Sequence, residues 1–262
     1  MNKWKVTCIQ HDVIFGNPEA NYAKMEKLLE RAMKDTPDVI VLPELWTIGY
    51  DLTRLDEIAE EGAGRTKAFL SEAARRYGVY LVGGSTAKRT RDGVYNTLLV
   101  YDREGQPISE YDKAHLFKLM DEHLYLRSGS GKGLFELGSI RSAGVVCYDI
   151  RFPEWIRTHI SSGAETLFVV AQWPLARLEH WRALLIARAI ENQCWVIACN
   201  RSGSDPSNVF AGHSMVVGPW GEVIAEAGES DEFLTADIDM AEVIKARGRI
   251  PVFEDRRPEL YE

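Results

Sequence analysis

Four cysteines are few for a chain of 262 residues, and no two of them form a C-x-x-C pair. Three of them, Cys8, Cys194 and Cys199, lie inside strand-like apolar runs. That pattern argues against a disulfide framework and against a thiolate zinc site, and points to a reducing cytoplasm. The six histidines form no H-x-H or H-E-x-x-H spacing, so a metal hydrolase has no support. No stretch approaches the roughly 18 apolar residues of a membrane span. The opening MNKWKVTCIQHDV holds neither a long apolar run nor a small-residue cleavage site, and is expected to be a first strand and not a signal peptide. No Lys/Arg-rich run is present, and 31 basic against 39 acidic residues give a net charge of -8, which disfavours nucleic acid as a partner. Long linkers and low-complexity segments are missing as well.

What is there reads as one α/β domain over 1–262. The composition, 45% hydrophobic and 27% charged, is ordinary for a globular chain able to bury a large core. KVTCIQ (5–10) is a strand. Asn17 and Pro18 give a helix start, and Met25, Leu28, Leu29 and Ala32 recur at helical spacing, so a helix is expected over 18–34. Strands follow at 38–44, 79–85, 95–102, 142–149, 165–171 and 194–200, with helices at 66–77, 153–162 and 178–192. DREG (102–105) and Pro219–Gly221 read as hairpin turns. Strand pairs joined by tight turns predict mixed sheets, and their recurrence predicts two stacked sheets covered by helices. The polar tail 248–262 is expected to lie on a surface or against a partner subunit.

Three of these strand ends carry chemistry. VIVLPE reaches Glu44, ISEYDK reaches Lys113, and GVVC reaches Cys147. Ligands of α/β folds commonly sit at the carboxyl ends of strands. If the ends are neighbours, they join a carboxylate, an ammonium and a thiol. The carboxylate can take the thiol proton and return it to a leaving group. The ammonium favours ionised neighbours and can donate to an oxyanion, with the backbone N–H of Tyr148 as second donor. Read singly, Cys147 also fits a core residue, Glu44 a turn cap and Lys113 a solvated strand end. A Cys–His pair with His115, His123, His180 or His213 has no distinctive local context.

The combination is more specific. PELW (43–46), YDKAHLF (111–117) and CYDIRFPE (147–154) occur in this order, followed by HWRALLIARAIENQCWVIACN (180–200), GHSMVVGPWGEV (212–223) and IPVFEDRRPELY (250–261). Together they resemble the nitrilase superfamily of carbon–nitrogen hydrolases along essentially the whole chain. The resemblance implies a four-layer αββα sandwich, a homodimer joined through helix 178–192 and the tail, and no metal or organic cofactor. It implies that Glu44 is a general base, Lys113 an oxyanion lysine and Cys147 a nucleophile. A second glutamate, Glu122, would position the lysine and the substrate. Asp149 and Arg151 are read as structural partners around the turn. The run AQWPLARLEHW (171–181) and the tail IPVF resemble the omega-amidase branch, which implies a small anionic amide such as 2-oxoglutaramate as substrate. Arg177 is the candidate for its carboxylate, with Tyr50 and Trp173 as pocket walls. N-carbamoyl-amino-acid hydrolase, aliphatic amidase and nitrilase activities use the same triad and stay open, as does a non-catalytic binding module on the same fold.

Overall fold

The computed structural model describes residues 3–261. Among them are thirteen strands and seven α-helices. The strands are β1 (Lys3–Gln10), β2 (Val39–Val41), β3 (Glu60–Glu61), β4 (Tyr80–Thr90), β5 (Gly93–Tyr101), β6 (Pro107–Asp112), β7 (Leu134–Leu137), β8 (Ile140–Val146), β9 (Thr166–Ala171), β10 (Trp195–Asn200), β11 (Met215–Val217), β12 (Val223–Glu226) and β13 (Glu232–Asp239). The helices are α1 (Pro18–Ala32), α2 (Leu55–Ile58), α3 (Gly64–Tyr77), α4 (Glu122–Tyr125), α5 (Pro153–Ser161), α6 (Leu178–Asn192) and α7 (Ala241–Arg249). One sheet runs β13-β1-β2-β4-β5-β6 with β3 beside β4, and the other runs β12-β11-β10-β9-β8-β7. Both are mixed: β1, β2 and β4 are parallel neighbours, as are β8, β9 and β10, while the hairpins pair antiparallel.

The period-two alternation of each strand decides which layer it feeds. In the first sheet, Val6, Cys8, Val39, Val41, Val82, Leu98 and Val100 join the core cluster that contains the second sheet. Their alternating neighbours Ile9, Ile40, Leu42, Leu81 and Leu99 point the other way, onto Met25, Leu28 and Leu29 of α1 and Leu70 and Ala74 of α3. The second sheet is covered by Ile156 and Ile160 of α5 and Trp181 and Leu185 of α6. The layers are therefore helix, sheet, sheet, helix: the αββα sandwich expected from the sequence. No helix among the described residues is long and apolar enough to cross a membrane.

Element ends moved by a few residues. The apolar run 142–149 leaves its sheet at Val146, so Cys147 already belongs to a 3-10 turn. The strand expected over 38–44 ends at Val41. β7, β13 and α7 were not anticipated. β13 pairs antiparallel with all eight residues of β1 and closes one edge of its sheet. The tail follows α7 and lies on this chain's own α5 side. Phe253 is covered by the guanidinium groups of Arg157 and Arg247 at 5.1 and 5.0 Å, and Arg256 donates to Ser161 Oγ at 3.0 Å.

The approach to Glu44 depends on a bulge in β4, where the register shifts between Val82 and Ser85. Gly84 sits there at φ +63°, and a Cβ on it would lie 2.1 Å from the Pro43 carbonyl oxygen. Next to it, Ser85 N–H donates to that oxygen at 3.2 Å and Ser85 Oγ accepts Leu45 N–H at 2.9 Å. Gly84→Ala is expected to cost about 3 kcal/mol, through backbone strain plus the clash. Urea denaturation checks this: the midpoint should fall with an unchanged slope, and a wild-type midpoint would refute it.

Candidate active site

The carboxyl ends of β2, β6, β8 and β9 converge between the sheets. Glu44 lies three residues beyond β2, while Lys113, Cys147 and Gln172 each stand one residue beyond β6, β8 and β9. All four side chains are buried. The structure thus brings Glu44, Lys113 and Cys147 together and adds Glu122 from the start of α4.

Lys113 Nζ donates to Glu44 Oε1 at 2.9 Å and to Glu122 Oε1 at 2.6 Å. An ammonium has three N–H donors, so one is left over. Glu44 Oε1 also accepts Asn96 Nδ2–H at 2.7 Å, and Glu44 Oε2 accepts the backbone N–H of Gln172 at 2.9 Å. Glu122 Oε2 accepts the backbone N–H of Phe117 at 2.8 Å. Tyr50, expected as a pocket wall, lines a cavity beside Leu52 and Met120 and also brings its hydroxyl into this network, 2.6 Å from Glu122 Oε1 and 3.0 Å from Glu44 Oε1. Its single proton serves the nearer oxygen.

Charge sets the electrostatics. Burial pushes the Cys147 thiol well above the usual range, and the Glu44 carboxylate beside it pushes the same way against the pull of Lys113. Burial opposes the Lys113 charge, but Glu122 and Glu44 outweigh it and hold the ammonium protonated well past its usual range. Burial also raises Glu122, which Lys113 opposes.

Cys147 adopts φ +47° and Leu45, directly after Glu44, φ +41°. Side chains rarely accept this left-handed backbone, and such strain concentrates at functional sites. Asp149 holds the turn: its carboxylate accepts Val146 N–H at 3.0 Å, Tyr111 O–H at 2.7 Å and His115 N–H at 3.0 Å. It is a structural partner, as expected. Arg151 is not only that. It lines a cavity at Cys147 together with Tyr148, Trp173, Arg177, Phe117 and Met120. Its guanidinium lies 4.7 Å over the Trp173 ring, and that of Arg177 lies 5.4 Å over Phe117. Trp173 Nε1 donates to the Arg177 carbonyl at 2.8 Å, which ties the wall to the backbone that carries Arg177.

Asn96, Gln172 and the cavity position of Arg151 were missed. Gln172 follows an apolar strand just as Cys147 does, so the strand-end rule reaches it. Asn96 sits inside β5, where the sequence marks only a polar residue in an apolar run.

A thiol, a carboxylate and a buried ammonium with a spare donor suit attack on a carbonyl carbon followed by transfer of the acyl group. Comparison with known proteins agrees. Residues 5–248 match the family model described as carbon-nitrogen hydrolase. The chain is 54% identical to a 2-oxoglutaramate amidase of Bacillus subtilis (strain 168), over 99% of this chain and 100% of that one. It is 35% identical to an omega-amidase of Escherichia coli (strain K12), with 96% of each covered. A CN-hydrolase superfamily protein from Xanthomonas campestris, solved with an arsenic adduct in its active site, superposes with a TM-score of 0.92 at 33% identity over 98% of both chains. Sequence, layer order and the meeting of strand ends lead to one family, and the chain belongs to the carbon–nitrogen hydrolases of the nitrilase superfamily.

Proposed function

We propose that the protein is an omega-amidase, which releases ammonia from the terminal amide of 2-oxoglutaramate or 2-oxosuccinamate through a thioester on Cys147. The observation that carries the substrate reading is the lining of the cavity at the thiol: two guanidinium groups, aromatic walls and no carboxylate. The relative named for 2-oxoglutaramate supports it. An anionic substrate would lay its distal carboxylate on Arg177 and Arg151, and its amide would then face Cys147.

In this mechanism Cys147 Sγ attacks the amide carbon while Glu44 takes the thiol proton. Glu44 Oε1 is saturated by Lys113 and Asn96, so Oε2, with only the Gln172 N–H, is the basic oxygen. The spare N–H of Lys113 and the N–H of Tyr148 hold the oxyanion; Tyr148 lies in the first turn of its 3-10 helix, where N–H groups lack intrahelical partners. Ammonia leaves with the proton from Glu44. Glu44 then draws a proton from water, which attacks the thioester, and the acid departs as the thiol regains its proton. Glu122 and Tyr50 keep Lys113 and Glu44 in register. The chemistry calls on no metal or organic cofactor. A reducing cytoplasm suits a free thiol nucleophile, and the reading of 1–262 as one hydrolase domain is kept.

We further propose a homodimer joined through α6 and the tail 248–262. Exposed Ile190, Trp220 and Ile250 near this face support it. Sedimentation at micromolar concentration should give twice the chain mass, and a monomer would overturn it.

Purified protein should release ammonia from 2-oxoglutaramate. Cys147→Ala should fold normally yet lose turnover by about 10⁴-fold or more. Full activity in that variant would remove the thiol from the mechanism. Ammonia from N-carbamoyl amino acids but none from 2-oxoglutaramate would favour the carbamoyl hydrolase instead. Arg177→Met and Arg151→Met should each raise KM for 2-oxoglutaramate about tenfold or more, the loss of a charge-assisted bond, with little change for a neutral aliphatic amide. Equal effects on both substrates would take that arginine off the carboxylate.

A further inference from the structure

Arg201, directly after β10, is a fully buried cation outside the network around Cys147. Its Nη2 donates to Asp12 Oδ1 at 3.0 Å and to the carbonyls of Val13 and Ser204 at 2.7 and 2.9 Å. The guanidinium lies 4.2 Å over the Phe210 ring. These contacts would do for a latch that holds a loop. The remaining one does not fit that purpose: Nη1 donates to Gln172 Oε1 at 2.8 Å.

Gln172 is itself fully buried, and each of its other polar contacts goes to Glu44. Its backbone N–H meets Glu44 Oε2 at 2.9 Å and its Nε2 meets the Glu44 carbonyl at 2.6 Å. An arginine offers donors and no acceptor. It therefore fixes which way the amide of Gln172 faces, oxygen towards Arg201 and nitrogen towards the Glu44 backbone. Turned over, the amide would set its NH₂ against the guanidinium and its oxygen against a carbonyl. The line Asp12–Arg201–Gln172–Glu44 runs from a partly exposed residue just past β1 to the Glu44 backbone, and the backbone N–H of Gln172 carries it on to the carboxylate.

Resting on the amidase reading above, we propose that Arg201 is a positioning residue: through the Gln172 side chain it sets the place and direction of the Glu44 carboxylate against the Cys147 thiol. A small displacement of a proton acceptor is expensive in rate, since roughly 1 Å of misplacement can cost about a hundredfold. Lysine keeps the charge but lacks the planar fork, so it cannot serve Gln172 and Asp12 together.

The test follows alkylation of Cys147 by iodoacetamide, located by mass spectrometry in the full-length protein, beside kcat and KM for ammonia release from 2-oxoglutaramate. Arg201→Met, Arg201→Lys, Gln172→Leu and the double variant R201M/Q172L are compared, each corrected for its folded fraction. Arg201→Met should slow alkylation and lower kcat by about tenfold or more while KM stays within about twofold. Arg201→Lys should recover part of the loss. The double variant should be no slower than Gln172→Leu alone, because the two residues act along one path. A purely structural arginine would reduce the folded fraction and leave the rate per folded molecule unchanged; that result, or losses that multiply in the double variant, overturns the proposal. If Arg201→Met does not fold, the Lys and Leu variants decide: a folded Lys or Leu variant alkylated at the wild-type rate overturns it equally. Alkylation displaces iodide and breaks no amide bond, so wild-type protein that alkylates normally but releases no ammonia from 2-oxoglutaramate would sink the substrate reading, and the alkylation rates of the variants would still decide this one.

Discussion

The Lys113 ammonium is buried away from water with both of its ion-pair partners, Glu44 and Glu122, equally buried. Moving charges of this kind out of water costs several kcal/mol per ion, and their attraction offsets that only with good geometry and full hydrogen bonding. That requirement explains the density of donors around them. Asn96, the Gln172 backbone and the Phe117 backbone each supply an N–H to a carboxylate oxygen, and Tyr50 spans the two acids. None of these donors is close to another in sequence except by way of the fold. The ion cluster ties β2, β5, β6, β9 and the segment before α4 to one point. A shift in any of them leaves a buried charge short of a partner.

The same constraint explains why the thiol stands on a strained turn. An apolar strand places Cys147 rigidly but would aim its side chain along the pleat, into the core. Left-handed backbone at Cys147 redirects it towards Glu44, at a cost of order 1–3 kcal/mol. The neighbouring polar block offsets that cost. Asp149 caps the strand end, takes the Tyr111 hydroxyl and the His115 N–H, and Tyr111 in turn accepts Trp155 Nε1–H at 3.0 Å. The abrupt change from GVV to CYDIRFPE in the sequence is the trace of this exchange: burial up to the turn, then groups that fix its shape.

How much of this was legible follows from what periodicity records. Val6, Cys8, Val39 and Val41 against Ile9, Ile40 and Leu42 encode two faces, so the strands and the layering could be read. α1 announced itself through Asn17, whose side chain accepts Ala20 N–H, and through Pro18. Glu44 and Cys147 were visible because each follows an apolar run with a reactive group, and Lys113 because it ends the mixed strand ISEYD. β13 was passed over although Leu234, Ala236 and Ile238 alternate with Thr235, Asp237 and Asp239, the pattern of a half-buried edge strand. Tyr50 looked like a pocket wall because an aromatic ring near a site is ordinarily lining; that its hydroxyl faces two carboxylates depends on a turn after Glu44 that no spacing rule describes. Gln172 and Arg201 were passed over for a related reason. Neither is reactive, and their importance lies in what they hold.

This division explains why the strand-end groups were easier to read than the cavity beside them. The thiol, carboxylate and ammonium stand at or near strand ends, where hydrophobic pattern and sheet pairing fix positions. The cavity is built otherwise. Phe117 and Met120 come from the 3-10 turn before α4, and Trp173 and Arg177 come from the turn between β9 and α6. Such segments carry no period, and their shapes are set by contacts such as Trp173 Nε1 to the Arg177 carbonyl. Arg151 stands on the elbow itself and belongs to both worlds, which is why it read as scaffold. One scaffold can therefore keep its strand-end groups while the turns around them vary. At both Arg151 and Arg177 a guanidinium lies over an aromatic face, 4.7 Å over Trp173 and 5.4 Å over Phe117, so each cation is held against a wall of the cavity at Cys147 by contacts within these turns and not by the strand pattern.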